Sequence, residues 1–385
     1  NTYISYMADT IRPDGSVRTR MAYDRRWVGP DSLDTLGRAL WAFGHTATHA
    51  RRAWVRKCAR DCFDHVVLPY ELLWPRPYLY AGLGASALLS IDPDDTRAGH
   101  VAETAAWHLS TFSSAHWPWP EDRLSYDNAR WPDALMALGS ALAEDSLTQR
   151  GLDLLAWLVE AERPGPHFSF TPVGGLSHDD ARNGPLFDQQ PIEAAAMVSA
   201  CARAYSITGE PSWEEQAIAA AAWFLGLNDL GTPLYDTGTG AGHDGLTAQG
   251  TNENAGAEST ICALGALEMA RSILVHEDLE QSRLVNRGRS HHPVGSTVGQ
   301  IDPAVVHTVS ALDEDDVVHV ADPLPRHFGS EDGPGEMSPG PAASGVEEGD
   351  PGDVGSGGVA FVIEEQEALF GQNRRGTGAD PQRPG

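Results

Sequence analysis

Two kinds of helical segment alternate along this chain, and the alternation restricts the fold more than any other feature. One kind is rich in Ala, Gly and Leu on several sides, as in SLDTLGRALWAFGHTAT, RPYLYAGLGASALLSI, ARWPDALMALGSAL, FDQQPIEAAAMVSACARAYSIT and ICALGALEMA. The other kind, as in HARRAWVRKCARDCFDHVV, RAGHVAETAAWHLSTFSSA and SLTQRGLDLLAWLVEAE, is apolar at three- and four-residue spacing and charged on its outer face. A helix apolar on most sides has to be surrounded by others, whereas an amphipathic one has to lie on the outside. The inner kind begins near residues 33, 78, 129, 191 and 257, a repeat of roughly 45 to 65 residues. The pattern predicts an all-α closed ring of helical hairpins, with the inner helices around an axis. The opening stretch, residues 1 to 10, supplies the outer helix of a sixth pair whose inner partner is absent, so the ring is expected to be N-terminally truncated.

In such a ring the loops entering the inner helices gather at one mouth. The richest of them runs from Tyr235 to Ser259, YDTGTGAGHDGLTAQGTNENAGAES, and offers Asp236, Asp244, Asn252, Glu253, Asn254 and Glu258 at the entrance to an inner helix. Asn254 or a neighbour is placed to cap that helix, and Glu258 falls at the positive end of its dipole. At other entrances stand Asp34, Asp127, Asp188 and Glu193, with Gln189, Gln190, Arg25, Arg26 and Arg130 as polar neighbours. Asp127 and Asp188 could equally serve as N-caps, and Glu193 and Glu258 as first-turn dipole partners. Trp27, Trp117, Trp119, Tyr126 and Tyr235 lie in entrance loops, where flat faces can stack on pyranose rings or close the ends of the ring. Trp41, Trp54, Trp157 and Trp223 fall in helices and are expected in the core.

The net charge of −27 disfavours nucleic acid and anionic membrane as partners, since both would be repelled. No apolar run is long enough to span a membrane and no signal peptide opens the chain, so a cytoplasmic location is expected. Cys58, Cys62, Cys201 and Cys262 show no zinc-ligand spacing and read as reduced core thiols. No HExxH, Walker A, GxSxG or strand-following GxGxxG pattern is present, and neither metal nor cofactor is expected. The domain assignment is residues 1–280 for the ring and 281–385 for a tail dense in Gly, Pro, Ser and acid, expected to be disordered.

Four segments carry a family signature: MAYDRRW followed by LGRALWAFG, YDNARWPDALMALG, FDQQPIEAAAMVSAC and LYDTGTGAGHDGLTAQGTNENAGAES. Together, over residues 1 to about 275, they resemble the (α/α)6 toroid domain associated with bacterial group 1 (GT-B type) glycosyltransferases. FDQQP and GAES are the most specific of these motifs. The resemblance implies a six-hairpin, glycosidase-like ring in a carbohydrate setting, with a GT-B module in the same or a neighbouring chain as partner. The chain departs from the family at Asp31-Ser32-Leu33-Asp34-Thr35-Leu36 and at Ala255.

Cleavage of a glycosidic bond needs a proton donor at the leaving oxygen and a second carboxylate as base or nucleophile. Asp127 and Glu258 are the favoured pair, with Asp188, Glu193 and Asp244 as substitutes. Arg25, Arg26, Trp27, Asp34, Tyr126, Arg130, Gln189, Gln190, Tyr235, Asp236, Asn252, Glu253 and Asn254 are the candidate ligand contacts for a sugar or oligosaccharide. A non-catalytic glycan-binding domain of a glycosyltransferase is the competing reading. A sugar epimerase, with His178 and His243 as paired bases, is the third.

Overall fold

A computed structural model describes residues 2–70, 74–114, 117–180 and 184–286, with side chains as far as Leu274. The inner helices are α2 (Leu33–His49), α4 (Arg76–Leu89), α6 (Arg130–Leu142), α8 (Pro191–Thr208) and α10 (Ala257–Asn286). The outer helices are α1 (Thr2–Thr10), α3 (Ala53–His65), α5 (Thr96–Thr111), α7 (Asp145–Glu162) and α9 (Pro211–Ala222). Each inner helix packs on the next, α2 on α4, α4 on α6, α6 on α8 and α8 on α10, while α3, α5, α7 and α9 back their hairpin partners and α1 rests on α3. The described residues form the (α/α)6 toroid with five inner helices. Among the described residues no comparable contact joins α10 to α2, so the expected closure is missing on that side.

Small residues explain the tightness of the inner layer. At the α2–α4 crossing, Gly44 faces Gly84, and a Cβ on Gly44 would stand 2.1 Å from the Gly84 carbonyl oxygen. Around it, Leu40, Phe43, Tyr78, Leu79 and Tyr80 are fully buried, each such side chain contributing about 1.5–3 kcal/mol by leaving water. All of α4 is buried, as its largely apolar character requires, Arg76 at its start included. Trp54 corrects the expectation for helical tryptophans: it lies on outer helix α3 and is 48% exposed.

Short β-ladders brace the entrance loops. β1 (Arg20–Met21) pairs with β2 (Trp27–Val28) ahead of α2, and β3 (Arg123–Leu124), ahead of α6, pairs with β4 (Leu176–Ser177) of the loop that leads to α8. Ahead of α10, β5 (Tyr235–Asp236) pairs with β6 (Ala241–Gly242), and β7 (Leu246–Thr247) with β8 (Gly250–Thr251). Gln189 is tied through its backbone to Leu246, which joins two neighbouring entrances. No helix among the described residues is long and apolar enough to cross a membrane. The tail expected from residue 281 lies outside the described residues, apart from the α10 backbone to Asn286.

Candidate functional site

The mouth is organised by the turn that precedes α6. Asp127 adopts φ +50°, a left-handed conformation uncommon outside glycine, and is buried together with Asn128. Glu193, reaching across from the first turn of α8, holds this turn. Its Oε1 accepts the Asp127 N–H, and its Oε2 accepts the Asn128 N–H at 3.0 Å and Nδ2 at 3.2 Å. So constrained, the Asp127 carboxylate accepts the Tyr80 hydroxyl at 2.8 Å and lies 3.4 Å from both Arg38 Nη2 and Arg130 Nε. Neither Asp127 nor Glu193 caps its own helix. Each is used across helices, a role that local sequence does not announce.

Arg38, on α2, is the central cation. It donates to the Tyr80 hydroxyl at 2.7 Å and lies 3.8 Å from Asp34. Burial works against its charge, but Tyr80, Asp127 and Asp34 hold it firmly protonated. Asp34 accepts the Tyr126 hydroxyl at 2.5 Å, and the Tyr126 ring lies under the Arg76 guanidinium, itself paired with Glu121 at 2.8 Å. Arg130 points inward to Asp133 at 2.9 Å, and Asp133 also takes Arg203, so the expected ligand contact at Arg130 is instead a buried ion pair.

Glu258 stands apart. It is half-buried in the first turn of α10, and no described residue hydrogen-bonds its carboxylate. Desolvation raises its proton affinity, Arg38 opposes this, and Asp127 and Asp244 reinforce it. Glu258 therefore shares one electrostatic neighbourhood with Asp127 and Arg38, although the three come from different hairpins. Asp244 is differently placed. Burial disfavours its charge, but the Ser259 hydroxyl at 2.7 Å, the Gly256 N–H at 2.6 Å and the Asn254 amide hold it below the usual carboxylate range. Asp244, rather than Asn254, anchors the entrance to α10.

A second buried carboxylate stands behind Glu193. Glu162, in the last turn of α7, accepts the Thr171 hydroxyl at 2.6 Å and the Thr171 N–H at 3.1 Å. Burial pushes Glu162 up to about 7, and burial together with the Glu162 charge pushes Glu193 up to about 8.

Other expected site residues take structural or peripheral places. The Gln189 side chain is buried and spent on Trp223 Nε1, the Phe170 N–H, the Leu186 carbonyl and Asp229, so it is not free for a ligand. Gln190 and Asp188 are exposed ahead of α8, and Asp188 does not cap it. Asp236 closes a local turn onto Gly238 and Thr239, Tyr235 is buried, and Asn252 and Glu253 are exposed on the loop. Arg25 is exposed between β1 and β2, Arg26 pairs with Asp24, and half-buried Trp27 lies beneath Arg18. Trp117 and Trp119 are buried and pack against Trp157. His243 bonds the Asn252 carbonyl at 2.8 Å, whereas His178 lines a separate cavity of about 1290 Å³ with Trp117, Trp157 and Arg163. Among the described residues no group of three His, Cys, Asp or Glu side chains could hold a metal ion.

Members of the cluster that escaped the sequence reading include Arg38, Tyr80, Arg76 and Glu162. The first three had a readable signal, because an Arg or Tyr inside an otherwise apolar inner helix needs a buried partner. Glu162 had none, since its partner Thr171 lies in an irregular loop.

No protein-family description and no curated protein matches this chain. Solved structures do share its fold. A sugar epimerase from a ruminal bacterium aligns with a TM-score of 0.54 at 10% identity, over 74% of this chain and 82% of its own. The cellobiose 2-epimerase of Bacillus thermoamylovorans aligns with a TM-score of 0.53 at 10% identity, over 76% of this chain and 89% of its own. At that identity the likeness is one of fold, and it places the chain among the (α/α)6 toroids.

Proposed function

We propose that the mouth of the toroid is a carbohydrate site in which Glu258 carries the proton that the reaction moves. The observation behind this reading is that Glu258, among the carboxylates around Arg38, is half-buried and without a hydrogen-bond partner among the described residues. Asp34 is engaged by Tyr126, and Asp127 by Tyr80, Arg38 and Arg130. At 1% exposure Asp127 is too deep to meet a sugar, so the favoured pair of catalytic carboxylates gives way to one acid–base and a charged support.

The chemistry that suits one uncommitted carboxylate in the field of a fixed cation is proton abstraction next to a carbonyl. Glu258, as carboxylate, takes the proton from the carbon adjacent to the carbonyl of an open-chain sugar. The C–H electron pair forms the double bond of an enediolate, whose oxygen charge develops in the field of Arg38. The intermediate then turns about the bond beside its reacting carbon, and Glu258, having exchanged its proton with solvent, returns one to the other face to give the epimer. The sugar epimerases of like fold support this choice by analogy of fold alone. Hydrolysis is the second reading, favoured by Asp34, which is also half-buried beside Arg38 and could act as the second carboxylate. A cytoplasmic location, read from the sequence, and a GT-B glycosyltransferase module in the same or a neighbouring chain, implied by the family resemblance, belong to this proposal.

One experiment separates the readings. The full chain is incubated with a panel of reducing mono- and disaccharides in D2O and, separately, in heavy-oxygen water, and the products are read by mass spectrometry. Carbon-bound deuterium that disappears in Glu258→Gln is the expected result. New reducing ends carrying heavy oxygen, without deuterium on carbon, would replace epimerisation by hydrolysis. Neither label, with calorimetric binding retained, would make the domain a glycan-binding module and end the catalytic reading.

A further inference from the structure

We propose that Glu193 is a positioning residue, which sets the cation of the mouth in place from behind without meeting the ligand. The inference rests on the mouth being the functional site, but not on which reaction occurs there. Glu193 lies in the first turn of α8, where an acid would ordinarily serve its own helix. It serves α6 instead, spending both oxygens on Asp127 and Asn128.

Two arms run outward from the turn that Glu193 holds. Along one, the Asp127 carboxylate meets Tyr80 and Arg38, so the place of the Arg38 guanidinium follows from the left-handed geometry at Asp127. Along the other, Asn128 Oδ1 accepts the Ser125 N–H at 3.0 Å, Ser125 Oγ and the Tyr126 carbonyl accept Arg76, and the Tyr126 hydroxyl reaches Asp34. Both arms end on α2, at residues one helical turn apart. A glutamine at position 193 would keep the shape but turn an NH2 toward backbone N–H donors. The turn would then lose at least one of its three anchors, and Arg38 would lose its fixed acceptor.

The test follows the arginines themselves, with no ligand. In the intact protein the two Nη groups of Arg38 are expected as separate nitrogen resonances, because rotation about Nε–Cζ is slowed by Tyr80 and Asp127. Glu193→Gln should speed that rotation about tenfold, the equivalent of one charge-assisted hydrogen bond. Arg203, held by Asp133 on α6, serves as the internal standard and should be unchanged. If Arg203 loosens as much as Arg38, Glu193 merely supports the fold and the proposal is overturned. It is equally overturned if Arg38 stays slow. Should Glu193→Gln not fold, Asn128→Ala decides: it deletes the side-chain donor to Oε2, leaving the backbone N–H, and removes the Ser125 acceptor, and should loosen Arg38 by a smaller factor, whereas no change overturns the proposal. None of these outcomes depends on sugar turnover, so a failed positioning role and a failed sugar site remain distinguishable.

Discussion

The entrances to α8 and α10 put a glutamate in nearly the same place and use it in opposite ways. Glu193 is 3% exposed and committed to three N–H donors of a neighbouring turn, whereas Glu258 is half-buried and, among the described residues, committed to none. What differs is who anchors each entrance. At α10, Asp244 takes Gly256, Ser259 and Asn254, and Glu258 is left over. A first-turn acid is thus structural or chemical according to what the preceding loop already supplies. The contrast predicts opposite mutational signatures. Glu258→Gln should cost sugar turnover about 10²–10⁴-fold, the usual range for a general acid–base, and leave the urea midpoint within experimental error. Glu193→Ala should cost about 3 kcal/mol or more in urea unfolding, because three buried donors lose their acceptor at once. Equal stability losses at the two positions would dissolve the distinction.

The pH dependence of stability sharpens the same comparison on the buried side. Glu162 and Glu193 titrate in the folded protein at about 7 and about 8, above the usual glutamate value near 4.5. The folded state therefore binds more protons than the unfolded state between these limits, and stability should fall as pH rises from about 5 through 8. Urea midpoints across that range measure the slope. Glu162→Gln should flatten it, because the variant removes one titrating group and the charge that opposes ionisation of Glu193. A slope unchanged in that variant would assign the titration elsewhere.

The helical ring was legible in the sequence because burial on all sides leaves a mark at every position of an inner helix. All five inner helices start within two residues of where the apolar pattern puts them. The composition of the mouth was legible too, since Asp34, Tyr126, Asp127, Glu193 and Glu258 do converge electrostatically or by hydrogen bonds around Arg38. Their roles were not. Asp127 reads as an N-cap and becomes a buried acceptor in a turn of positive φ whose N–H groups are taken by Glu193, a contact 66 residues away in sequence. Gln189 reads as a ligand contact and becomes a core amide because Trp223 and Asp229, from the chain that follows α9, take its side chain. Such assignments depend on which side chain reaches a donor first, and that is settled by tertiary packing rather than by local pattern.

The smallest predicted effect tests why Glu258 is free. Asp244 does two things to it: it anchors the α10 entrance, so that Glu258 need not, and its charge raises the Glu258 proton affinity. Asp244→Asn keeps one acceptor oxygen for Gly256 and Ser259 while removing the charge. The Glu258 titration, followed by carboxyl carbon NMR, should therefore move down toward the ordinary glutamate value, with a stability loss of about 1 kcal/mol from the weakened anchor. Movement in the other direction would mean that Glu258 had responded chiefly to a loosened loop and deeper burial. The carboxylate would then owe its proton affinity to desolvation alone, and the pairing of an anchored Asp244 with a free Glu258 would no longer distinguish this entrance from that of α8.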